Sequence, residues 1–132
     1  MILSAEEFLK LRTSENPDEY RRSAQEAAPI EVWNEIIDKH PEMKTWVIHN
    51  KTVPLEILWA LSDDPDHLVR SEIASKRKLD KNLFEKLAND HHETVRQRLS
   101  YNKKTPREIL RHLANDPEVL VSEPAKQRLA RE

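Results

Sequence analysis

Trp46 and Trp59, Arg70 and Arg96, and the basic cluster Lys76, Arg77, Lys78, Lys103 and Lys104 are the residues whose types and spacing suggest chemistry in this chain. The chemistry they suggest is binding. A large aromatic at a position built to face water acts as a hot spot when a partner covers it. A run of cations with no acid among them can meet a phosphate backbone or an acidic partner. Arg70 and Arg96 share one phase, just after Val69 and Val95, where they either bind a ligand or pair with acidic turn residues.

Other chemistries find little support. The six histidines include the adjacent pair His91-His92, but neighbours on a turn diverge and no His-Glu-x-x-His spacing occurs. No metal site and no cofactor are therefore expected. The carboxylates stand in turns, where no burial would raise a pKa for acid–base work. With no cysteine there is no disulfide, thiolate metal site or thiol nucleophile. With no glycine, phosphate-cradling loops, dinucleotide fingerprints and nucleophile elbows are excluded in their usual form. No catalytic residue is assigned, and the chain is read as a non-enzyme.

The elements that must carry the binding residues announce themselves as a repeat. Phe8, Trp33, Leu58, Phe84 and Leu110 follow one another at steps of 25, 25, 26 and 26 residues. Leu11, Ile36, Leu61, Leu87 and Leu113 keep the same steps. Four residues before the first series stand Ser4, Pro29, Pro54, Asp80 and Pro106, all suited to helix starts. A period of this size marks a stack in which each unit buries its apolar face against its neighbours. The spacing predicts a single all-α domain over 1–132, an α-solenoid of about five two-helix repeats at about 4–28, 29–53, 54–79, 80–105 and 106–132.

Within a repeat, proline fits the first turn of the first helix. Thr105 with Glu108 and Ser4 with Glu7 read as capping boxes. Ile57, Leu58 and Leu61 form one apolar stripe, and Asp63-Asp64-Pro65-Asp66 turns the chain into a shorter second helix with Leu68, Val69 and Ile73 inward. Asn50, Asn89, Asn102 and Asn115 fall where helices should end in a left-handed residue. Pro124 is expected to interrupt the last second helix, with Ser122 capping a short terminal helix.

The unit Asn-x-x-x-Pro-x-x-Leu-Leu-x-x-Leu-x-x-Asp-Pro-x-x-x-Val-Arg resembles the leucine-rich repeat variant family. It stands here as Asn50 to Pro54, Ile57-Leu58, Leu61, Asp64-Pro65 and Val69-Arg70, and again as Asn102 to Pro106, Ile109-Leu110, Leu113, Asp116-Pro117 and Val121. The match covers about residues 29–132 well and 1–28 loosely. The resemblance implies a right-handed stack of short helix pairs, close in shape to HEAT-like repeats. Some members carry a cysteine-rich iron–sulfur segment, which a chain without cysteine does not share.

Charges segregate by loop. The returns between units hold Lys51, Lys76, Arg77, Lys78, Lys103 and Lys104, while the turns inside units are rich in Asp and Glu. Acids at helix starts and bases at helix ends also complement the helix dipoles. Trp59 occupies a phase held elsewhere by Asn34, Glu85 and Arg111, and Trp46 one held by Glu72 and Arg98. These broken phases point to protein–protein interaction by a non-catalytic scaffold. The alternative is a nucleic-acid-binding module using the basic inter-repeat loops. The net charge of −2 creates no global field for nucleic acid or membrane. The first residues read as no signal peptide, no stretch reaches membrane-spanning length, and a cytoplasmic protein is expected.

Overall fold

The computed structural model describes residues 1–131. The described residues are all-helical, with no strand. In chain order the helices are α1 (Ala5–Arg12), α2 (Pro17–Gln25), α3 (Ile30–Lys39), α4 (Lys44–His49), α5 (Leu55–Leu61), α6 (His67–Ala74), α7 (Lys81–Ala88), α8 (Glu93–Tyr101), α9 (Arg107–Leu113) and α10 (Val119–Arg131). A 3-10 turn, Pro41–Met43, leads into α4. The chain divides into two compact units, Met1–Leu58 and a second that starts at Trp59.

Helix starts follow side-chain chemistry. Ser4, Asn16, Asp66 and Asp80 each accept a backbone N–H from the first turn of the helix that follows them. At Ser4 the box closes differently from the expected form: Glu7 Oε1 accepts the N–H of Leu3, one residue earlier. Pro29 and Pro106 stand just before α3 and α9 rather than in their first turns. Their ψ values of 149° and 150° are extended, and neither offers a side-chain cap. Thr105 does not cap α9 either; its hydroxyl turns back to donate to Leu99 O at 2.7 Å.

Both apolar series are buried throughout. In the first unit Phe8, Leu11, Trp33, Ile36 and Leu58 form the core with Ile2, Val47 and Ile48, and Phe8 meets Trp33 edge to face at 5.7 Å. In the second unit Leu61, Phe84, Leu87, Leu110 and Leu113 pack with Val69, Ile73, Leu83, Val95, Leu99 and Val121. Leu68, expected inward, is 57% exposed. It precedes Val69 by one residue on an eight-residue helix, and neighbours in sequence lie about 100° apart on a helix.

Two expectations at helix ends are corrected. No described residue has a positive φ, so no asparagine ends a helix in the left-handed region. Asn50 and Asn102 act through their side chains instead. Asn50 Nδ2 donates to Ser23 O and Glu26 O, at 2.9 and 3.0 Å. Asn102 Nδ2 donates to Ala74 O and Lys76 O, at 2.8 and 2.6 Å. Each side-chain oxygen takes an N–H two residues on, from Thr52 and Lys104. Both asparagines are buried, and the bonds satisfy carbonyls that a helix end leaves orphaned. The second correction is at Pro124. Helix α10 runs through it, and Ser122 lies inside the helix, its N–H bonded to Glu118 O. Pro124 withholds one N–H from Leu120 O, and Leu120 is exposed, so water can serve that carbonyl.

Candidate binding surfaces

Arg70 and Arg96 build a ladder. Arg70 forks onto Asp90, Nε to Oδ2 at 2.8 Å and Nη2 to Oδ1 at 3.2 Å, while Nη1 donates to Asp64 O at 2.7 Å. Arg96 repeats the arrangement on Asp116 at 2.7 and 3.3 Å and on Asp90 O at 2.7 Å. The same aspartates accept backbone N–H groups from His92 and Glu118, turning the chain into α8 and α10. Burial pushes the Asp90 carboxyl up, but the Arg70 and His92 hydrogen bonds outweigh it and hold the group below its ordinary value. Both guanidiniums are committed within the fold, which favours the structural ladder over ligand binding for this pair.

The two tryptophans have separate surroundings. Trp59 is half-buried, its Nε1 donates to Asp80 Oδ2 at 3.4 Å, and Lys86 Nζ lies 5.3 Å from the ring centroid. Lys86 is itself held by Ser62 and Asp63 at 2.6 and 2.7 Å. Trp59 thus has partners of its own and is not the open face its phase suggests. Trp46 is 38% exposed. The Arg12 guanidinium lies 3.4 Å from its centroid and 4.2 Å from that of Tyr20, so the cation is sandwiched between two rings. Sequence phase finds Trp46 but not this clamp, because Tyr20 and Trp46 are brought to Arg12 only by the packing of α2 and α4.

A cleft of about 290 Å³ in the second unit is lined by Ser75, Arg77, Arg98, Tyr101, Asn102 and Lys103. It joins two predicted cations, Arg77 and Lys103, to Arg98 and Tyr101, which sequence reasoning did not select. Tyr101 is 63% exposed, 26 residues after Ser75, so an aromatic stands where the period of the apolar series would put a small polar residue. Arg98 Nη1 donates to Ser75 Oγ at 3.0 Å. Lys78 and Lys104 are exposed but lie outside this lining. Lys76 is half-buried, and burial first, then the charge of Lys78, pushes its ammonium below the usual lysine value.

A larger cavity of about 500 Å³ is lined by Asp63, Asp64, Arg70, Lys86, Asp90 and His91 among others. Its charges are internally paired, Lys86 with Asp63 and Arg70 with Asp90. His92, in the pair noted in the sequence, caps α8 through Nδ1 and stacks on His67 at 3.8 Å, with the rings 5° from parallel. Among the described residues no group of three or more His, Asp or Glu side chains is placed to hold a metal. None of their helices is long and apolar enough to cross a membrane. No family model, curated protein or solved structure matches the chain.

Proposed function

We propose that this chain is a non-catalytic α-solenoid of about five helix-pair repeats, of the leucine-rich repeat variant or HEAT-like kind, that mediates protein–protein interaction. The Arg–Asp fork and the asparagine lock support the repeat reading, since the fork recurs after one period of the apolar series, at Arg70 and Arg96, and the lock after two, at Asn50 and Asn102. The observation that carries the functional reading is the sandwich of Tyr20, Arg12 and Trp46 in the first unit. Tryptophan, tyrosine and arginine are the residue types that dominate binding energy at interfaces. Here the cation fixes both rings, so little side-chain entropy is lost when a partner covers the exposed part of Trp46.

The test is affinity capture from the native host with nuclease present, comparing the wild-type chain with the Trp46→Ala/Tyr20→Ala variant. The expected result is a specific protein that co-elutes with the wild type and is lost with the variant, while the variant keeps its helical circular-dichroism spectrum. Identical capture by both chains would remove the sandwich from the interface.

A further inference from the structure

The cations that close helix ends in the second unit are not the ones that stand in surplus. A basic residue after a helix is usually explained by the negative end of the helix dipole. In this unit other groups already serve that end. Asn102 takes the carbonyls of Ala74 and Lys76 after α6. Arg128, from α10, takes those of Ser100, Asn102 and Lys103 after α8. Arg128 stands 26 residues after Asn102 and does for the joint at 100–103 what Asn102 does for the joint at 74–76. Arg77, Lys78, Lys103 and Lys104 are left with no side-chain hydrogen bond or ion pair among the described residues. Arg77 and Lys103 line the cleft with Arg98 and the exposed Tyr101.

We infer that this cleft receives the carboxylates of an acidic, extended protein segment. The inference rests on the interaction reading above and names the chemistry of a partner. Arg77, Arg98 and Lys103 supply the charge. Tyr101 supplies an aromatic face and a hydroxyl, the pairing found where polar segments are held with little entropy loss. Size and field favour a peptide over a nucleic acid. Helices α6 and α8 are eight and nine residues long, so their acidic starts at Asp66 and Glu93 lie about 12–14 Å from the basic ends. That distance exceeds one screening length, about 8–10 Å at ordinary salt, so those acids oppose a carboxylate held in the cleft only weakly. A polyanion broader than one helix length meets those acids, whereas a carboxylate-bearing strand confined to the cleft does not.

The experiment is fluorescence anisotropy on the full chain with a short labelled polyglutamate peptide. A thymidine oligonucleotide of equal charge and inorganic phosphate serve as competitors. We expect saturable polyglutamate binding that weakens with added salt. The exposed pair Arg77→Glu/Lys103→Glu should weaken it by at least about tenfold, since two attractive contacts become repulsive. The milder Arg77→Gln/Lys103→Gln should weaken it less, and Tyr101→Ala should also weaken it. No polyglutamate binding at low salt, or equal binding by the charge-reversed chain, overturns the inference while leaving the host-capture result standing. Competition by the oligonucleotide at lower concentration than polyglutamate overturns it in favour of nucleic acid. Competition by free phosphate at equal charge concentration overturns the peptide as occupant.

Discussion

Arg70 is almost wholly buried, and its charge is tolerated because Asp90 answers it with two hydrogen bonds. Removing one member of such a pair strands the other. Asp90→Ala should therefore cost about 3–5 kcal/mol in urea melts. Acid should act through carboxylates of this kind. Glu26, hydrogen-bonded first to Arg22 and then to the amino terminus, is lowered from 4.5 to about 2. Asp90 is likewise held below its ordinary 3.8. A depressed carboxyl contributes stability that is complete above its unfolded value and lost as pH falls toward its folded one. The urea midpoint should thus drop between pH 4.5 and about 2, and Glu26→Gln should make that decline shallower. The arginine phase was legible because Val-Arg recurs behind Asp-Pro or Asp-His. The Arg12 clamp was not, since residues 12, 20 and 46 share no period and meet only through tertiary packing.

Elements were legible wherever one apolar face decided them. Leu87 sits fully buried on α7, and Leu87→Ala should cost about 2–5 kcal/mol, most of it from the cavity left behind. The asparagines were legible by position but not by mechanism. Without glycine a left-handed helix end seemed necessary, yet the side-chain amide reaches two carbonyls of the preceding joint and makes that conformation unnecessary. Asn102→Ala should cost about 1–3 kcal/mol, the penalty for leaving buried polar groups unanswered. Leu68 and Pro124 misled for different reasons. A short helix has little room to fix its phase from sequence, and a proline at the sixth position of a thirteen-residue helix forfeits a single bond, to a carbonyl that water can reach.

At the scale of the molecule, the two compact units differ in how completely their buried donors are satisfied. Arg12 Nε and Trp33 Nε1 are buried without a hydrogen-bond partner among the described residues, and both belong to the first unit. The second holds both Arg–Asp forks and the locks of Asn102 and Arg128. Hydrogen exchange followed by mass spectrometry should therefore show faster exchange in peptides from α1 to α4 than in those from α6 to α10. Equal protection in both would break the link between unanswered donors and local opening. The locks of the second unit have one further property. Asn102 and Arg128 reach back over 25 to 28 residues, about one period, so each joint is fastened by a residue carried in the segment that follows it. A tandem duplication of one such segment would bring its own fastener along. On the repeat reading proposed above, such a chain would lengthen by copying, with no new contact having to be invented.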